Sequence, residues 1–85
     1  MTDGKSIEKV FGQVVRKLRV ERNLSQEKLS ELSGLDRSYV SEIERGKKTA
    51  SIRTVIKLSE GLNILPHKLF SIIESELEIR LKVKK

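Results

Sequence analysis

Between Gln26 and Arg45 the chain carries two apolar pairs at helical spacing, Leu29 with Leu32 and Val40 with Ile43, and a single glycine, Gly34, lies between them. Residues three or four apart share one face of a helix, so each pair asks to be buried. Two helices of about eight residues can share a seam only if the chain turns sharply between them. Gly34 accepts the positive φ that such a turn imposes. Asp36 follows as an N-cap, its carboxylate suited to orphan amides and to the positive end of the helix dipole, so the second helix starts at Arg37. Gly46 stands where a left-handed residue ends a helix, which carries that helix to about Arg45. With Val40 and Ile43 turned inward, Ser38, Ser41, Glu42 and Arg45 are left pointing outward, flanked by Arg37 and Tyr39. That strip is short, polar and rich in hydrogen-bonding groups.

Three more helices surround this pair. Ile7, Val10, Phe11, Val14 and Leu18 recur at three and four, predicting an amphipathic helix from about Ser6 to Arg22. Ser6 caps it alone, because a capping box needs glutamate or glutamine where Lys9 stands. Ser25 caps the next helix and Ser51 a later one, in which Ile52, Val55, Ile56, Ser59 and Leu62 keep helical spacing up to a turn around Asn63. Pro66 suits the first position of a fifth helix, where its missing amide would be unpaired anyway, and Leu69, Phe70, Ile72 and Ile73 supply the apolar surface. The expectation is an all-α domain of five helices over residues 6–76, with a flexible N-terminus at 1–5 and a basic tail at 77–85. In the tail, Leu77, Ile79, Leu81 and Val83 alternate with charged residues, a strand pattern. Leu69, Ile73, Leu77 and Leu81 also fit one helical stripe. A lone strand in a helical chain needs a partner edge, and the twin tail of a second subunit is the simplest one; a helix would extend the fifth into a dimer seam, and a frayed basic end is the third reading.

Composition narrows the function classes. Eighty-five residues make one small domain with no room for a sensor domain, and a core this small makes oligomerisation a useful source of stability. Without cysteine, and with one histidine, neither disulfides nor a zinc constellation is expected, and no metal, cofactor or small-molecule ligand is called for. The carboxylates are scattered along amphipathic helices with no nucleophile beside them, so an enzyme is not expected. No long apolar run and no signal-peptide pattern occur, which points to a cytoplasmic protein with no membrane partner. The formal charge is +6, from 18 basic and 12 acidic residues, as a polyanion partner requires. Arg45, Lys47, Lys48 and Arg53 form a run with no acid between them, starting at the end of the second short helix.

These residues resemble the phage-repressor and Cro type of helix-turn-helix regulator, over most of the chain. In that pattern Gln26 opens the first helix, Gly34 takes the turn, Val40 and Ile43 are the buried anchors, and Gly46, Lys47 and Lys48 follow the second helix. Ser30 departs from it by standing where the family usually has alanine; its hydroxyl can bond back to a carbonyl one turn earlier. Residues 36–46 are further similar to the small controller proteins of restriction-modification operons.

The resemblance implies a lambda-repressor-like five-helix domain acting as a homodimer. One recognition helix per subunit would enter successive major grooves of double-stranded DNA, roughly 34 Å apart on an inverted repeat. The output would be occlusion or recruitment of RNA polymerase, regulated by the protein's own concentration. An antitoxin or a prophage repressor shares the pattern. A protein-interaction adaptor of the same fold would differ in showing little salt dependence. Arg37 is expected to read a base, because a guanidinium gives guanine two parallel hydrogen bonds, and Ser38, Ser41 and Glu42 share its face. Gln26, Tyr39, Arg45, Lys47, Lys48, Thr49 and Arg53 are expected at phosphates or on the flanks. Arg19 and Glu44 fall where the family sets a partly buried ion pair, and Leu69, Phe70, Ile73, Leu77, Ile79 and Leu81 are the expected dimer interface.

Overall fold

In the computed structural model each helix begins at an extended residue and ends at a left-handed one. Residues 6–79 and 81 are described, so the expectations for 1–5, Arg80 and 82–85 lie outside them. The helices are α1 (Ile7–Glu21), α2 (Gln26–Ser33), α3 (Arg37–Glu44), α4 (Ile52–Gly61) and α5 (Pro66–Leu77). Ser6, Ser25 and Ser51 accept the amides of Lys9, Lys28 and Thr54 at 2.9, 2.9 and 3.1 Å, each satisfying an orphan donor of a first turn. Asp36 takes the extended N-cap geometry, but its carboxylate makes no cap hydrogen bond; it acts on α3 through charge alone. Asn23, Gly34, Gly46, Asn63 and Glu78 all have φ between 55° and 73°. After each, the next amide returns to the carbonyl five residues back, as Leu24 does to Arg19 and Lys47 to Glu42, closing every helix end in the same way.

α1 lies against α3 and α5, and α2 against α3 and α4. The core takes Val10, Phe11, Val14, Val15 and Leu18 from α1, Leu29 from α2, Val40 and Ile43 from α3, Val55, Leu58 and Leu62 from α4 and its cap, and Leu69, Ile73 and Leu77 from α5. Leu32 is not among them: it is 50% exposed, and the buried face of α2 is Leu29, Ser30 and Ser33. The reason lies in α4, whose Gly61 lets Leu29 and, four residues on, Ser33 pack closely against it, so the face of α2 that meets α4 runs through these two and leaves Leu32 at its edge. Ser30 and Ser33 remain satisfied by donating to Glu27 O and Leu29 O, both at 2.6 Å.

The end of α5 also differs from the sequence reading. Leu77 closes the helix and is buried, so the tail begins at Glu78. Among the described residues there is no strand; Ile79 and Leu81 stand exposed beyond the helix.

Candidate nucleic-acid interface

α3 is fixed from beneath. Val40 and Ile43 are fully buried, and Glu44, on the same inner side, has a carboxylate side chain only 3% exposed. Arg19 of α1 meets that carboxylate with two prongs, Nε to Oε2 at 2.6 Å and Nη2 to Oε1 at 3.0 Å, and its remaining nitrogen, Nη1, donates to Leu24 O at 2.8 Å. From α2, Gln26 Nε2 donates to Oε1 at 3.0 Å. One buried carboxylate therefore ties α1, α2 and α3 together, with charge-assisted hydrogen bonds that offset its desolvation. The hydrogen bonds to Glu44 raise the Arg19 pKa above its ordinary value, against the lowering effect of burial. Gln26 is thus turned inward here rather than toward a phosphate, while the first amides of α2 keep the outward position that a helix N-terminus gives them.

The outward side of α3 carries Arg37 and Ser38, both exposed, then Ser41 and Glu42, half-buried, and Arg45, exposed again just past the helix. Their spacing keeps them on one stripe opposite Val40, Ile43 and Glu44. The chain then leaves through Gly46, and Lys47, Lys48 and Thr49 are exposed in the connection to α4, with Arg53 exposed on its first turn. The basic run therefore continues the polar stripe to the N-terminus of α4, whose first amides have no intrahelical acceptor.

Two flank residues are engaged elsewhere. The Tyr39 hydroxyl lies 3.3 Å from Thr54 Oγ1, which Ser51 Oγ also reaches at 3.1 Å, so this ring braces α3 against the start of α4. Thr49 Oγ1 donates to Glu8 Oε2 at 3.4 Å, linking the connection back to α1.

The residues expected at a dimer interface divide in two. Leu69, Ile73 and Leu77 are 0–7% exposed, because α5 uses that every-fourth-residue stripe to pack inside the protomer's own core. Phe70, Ile79 and Leu81 are exposed, as is Leu65 at the start of α5. Among the described residues no group of histidine, cysteine or carboxylate side chains is arranged to hold a metal, and no helix is long and apolar enough to cross a membrane.

Sequence reasoning missed two features of this surface. Thr54, whose hydroxyl pairs with that of Tyr39, is buried at a position with no local signal. Gly12 is packed against α3, and the signal was present: an isolated glycine inside a helical pattern usually has a packing reason.

Comparison with known proteins agrees with this geometry. The family model described as helix-turn-helix matches residues 15–69. The control protein C.MunI of Mycoplasma sp is 46% identical over 67 residues, covering 78% of this chain and 90% of that protein. The crystal structure of the restriction-modification controller protein C.AhdI from Aeromonas hydrophila superposes with a TM-score of 0.71 at 49% identity, covering 74% of this chain and 96% of that one. The controller protein C.Esp1396I, solved as a tetramer in complex with its natural 35 base-pair operator, superposes with a TM-score of 0.82 at 28% identity, covering 88% of this chain and 99% of that one.

Proposed function

We propose that this chain, which belongs to the helix-turn-helix family and is a transcription regulator of the restriction-modification controller type, binds an inverted-repeat operator as a homodimer. One α3 per subunit enters the major groove. The observation that carries this reading is the two-sidedness of α3: Val40, Ile43 and Glu44 are locked inward while Arg37, Ser38, Ser41, Glu42 and Arg45 face out as one polar stripe. A rigid helix with a hydrogen-bonding outer face is what reading base edges requires.

In this reading Arg37 donates to a guanine, Ser38 and Ser41 to neighbouring bases, and Glu42 accepts from cytosine or excludes other bases. Arg45, Lys47, Lys48 and Arg53, with the free amides at the starts of α2 and α4, hold phosphates and fix the register. Gln26 and Tyr39 serve the interface by steadying Glu44 and the start of α4. Phe70 and the exposed apolar residues around the end of α5 meet a second copy. Regulation runs through dimerisation and operator occupancy, by blocking or recruiting RNA polymerase in the cytoplasm, without a catalytic step.

Selection of bound sites from random duplex DNA at fixed salt, repeated with Arg37→Ala, tests this. The expected result is a two-fold symmetric site and, in the variant, a lost preference at one base pair per half-site, about 1–3 kcal/mol. Equal weakening on all sequences would reduce Arg37 to a phosphate contact. A wild-type protein with no preferred site would defeat the proposal.

A further inference from the structure

Gly12 lies in the interior of α1, where a glycine costs a helix about 1 kcal/mol relative to alanine. Its φ is not positive, so the backbone of α1 does not ask for it. The demand comes from α3. A Cβ at position 12 would stand 2.2 Å from the carbonyl oxygen of Ile43 and 2.7 Å from that of Glu44, both backbone atoms. Across the same crossing, a Cβ at Gly46 would stand 2.8 Å from Lys9 Cγ and 3.0 Å from Lys9 Cα. α1 and the C-terminal end of α3 thus meet almost backbone to backbone, with a glycine on each side. Gly34 and Gly46 both have positive φ, 70° and 73°, but Gly34 has open space around it whereas Gly46 also meets α1. Gly61 is the milder case: a Cβ there would stand 2.9 Å from Leu29 Cδ1, a flexible side-chain end, and 3.0 and 3.2 Å from Ser33 Cβ and N, against 2.2 Å from a backbone oxygen at position 12.

We propose that Gly12 is a positioning residue for DNA reading, setting the depth and tilt at which α3 is presented to the groove. This rests on the function proposed above. An ordinary carbon–oxygen contact is about 3.3 Å or more, so a methyl group at position 12 forces the end of α3 to move by about 1 Å. The anchoring side chains of Val40 and Ile43 and the Arg19–Glu44 pair resist that displacement, so α3 tilts instead of detaching. Arg37 lies six residues from Ile43, about 9 Å along the helix, and a tilt is carried out to it. Hydrogen bonds to base edges span only a few tenths of an ångström, whereas Lys47 and Lys48 follow a phosphate on flexible stems. A substitution at position 12 therefore harms base reading more than phosphate binding.

The test is a library of every residue type at position 12 in the full chain. It is sorted in parallel for protease resistance, for affinity to the duplex preferred by the wild type, and for affinity to random duplex. The wild type measured first separates the two ideas: if it prefers no duplex, the DNA-reading function fails before any variant is made. The expected result is that Gly12→Ala or Gly12→Ser resists protease and binds random duplex about as the wild type does, while its ratio of preferred to random affinity falls about tenfold or more. Gly61→Ala, the control at the other crossing, keeps the wild-type ratio. If glycine alone survives the protease sort, or if the surviving variants keep the wild-type ratio, position 12 is a packing requirement only and the proposal is overturned.

Discussion

α3 turns polar side chains outward from a helix pinned at its backbone and by a buried ion pair, whereas α5 turns Phe70 outward from a helix that packs into the core through the side chains of Leu69, Ile73 and Leu77, with Ile72 against them. The difference suits the functions proposed for the two surfaces. Base edges are read by hydrogen bonds of narrow geometry, and α3 is tied to α1, α2 and the start of α4. An apolar contact with a second copy tolerates small shifts, and ordinary core packing is enough to carry it.

Substitutions on and around the two helices test this contrast. The largest effect is expected on the pinned side. Glu44→Ala leaves the Arg19 guanidinium, 13% exposed, without its partner, and a urea melt should show a loss of about 3–5 kcal/mol. A loss below about 1 kcal/mol would mean that the pair does not hold α3. Leu69→Ala, at a fully buried site on α5, should cost about 2–5 kcal/mol by leaving a cavity, in the same assay. Phe70→Asp, one residue along and 43% exposed, should leave helicity unchanged and raise the dimer dissociation constant about tenfold or more in sedimentation equilibrium. An unchanged constant would move the self-association surface away from α5. Smaller still, Lys47→Ala and Lys48→Ala should each lower the slope of log affinity against log salt by about 1, with sequence preference intact. The smallest effect is expected at Asp36: without a cap hydrogen bond, Asp36→Ala should cost only about 0.3–1 kcal/mol, against about 1–2 for Ser51→Ala, which loses a bond that exists.

The helix boundaries were legible because their causes are local. Serines 6, 25 and 51 start helices, Pro66 starts another, and Gly34, Gly46 and Asn63 end them, each through its own backbone preference or side-chain reach. The outward stripe of α3 was legible as the complement of Val40 and Ile43. What the sequence left undecided depends on partners far along the chain. Spacing alone does not choose Ser33 over Leu32; Gly61 of α4 does. Nor does it say that Gln26 turns to Glu44, eighteen residues away, or that Tyr39 reaches Thr54, fifteen away. The stripe of Leu69, Ile73 and Leu77 is apolar whether it faces α1 or a second copy, and only the fold assigns it to the core.

The most direct measurement is a backbone amide-shift titration of the labelled protein with the duplex it selects. The expected result is that the largest shifts fall in residues 37–48 and at the starts of α2 and α4, while residues 69–77 stay unchanged. Shifts confined to α5, with residues 37–48 undisturbed, would contradict α3 as the reading element.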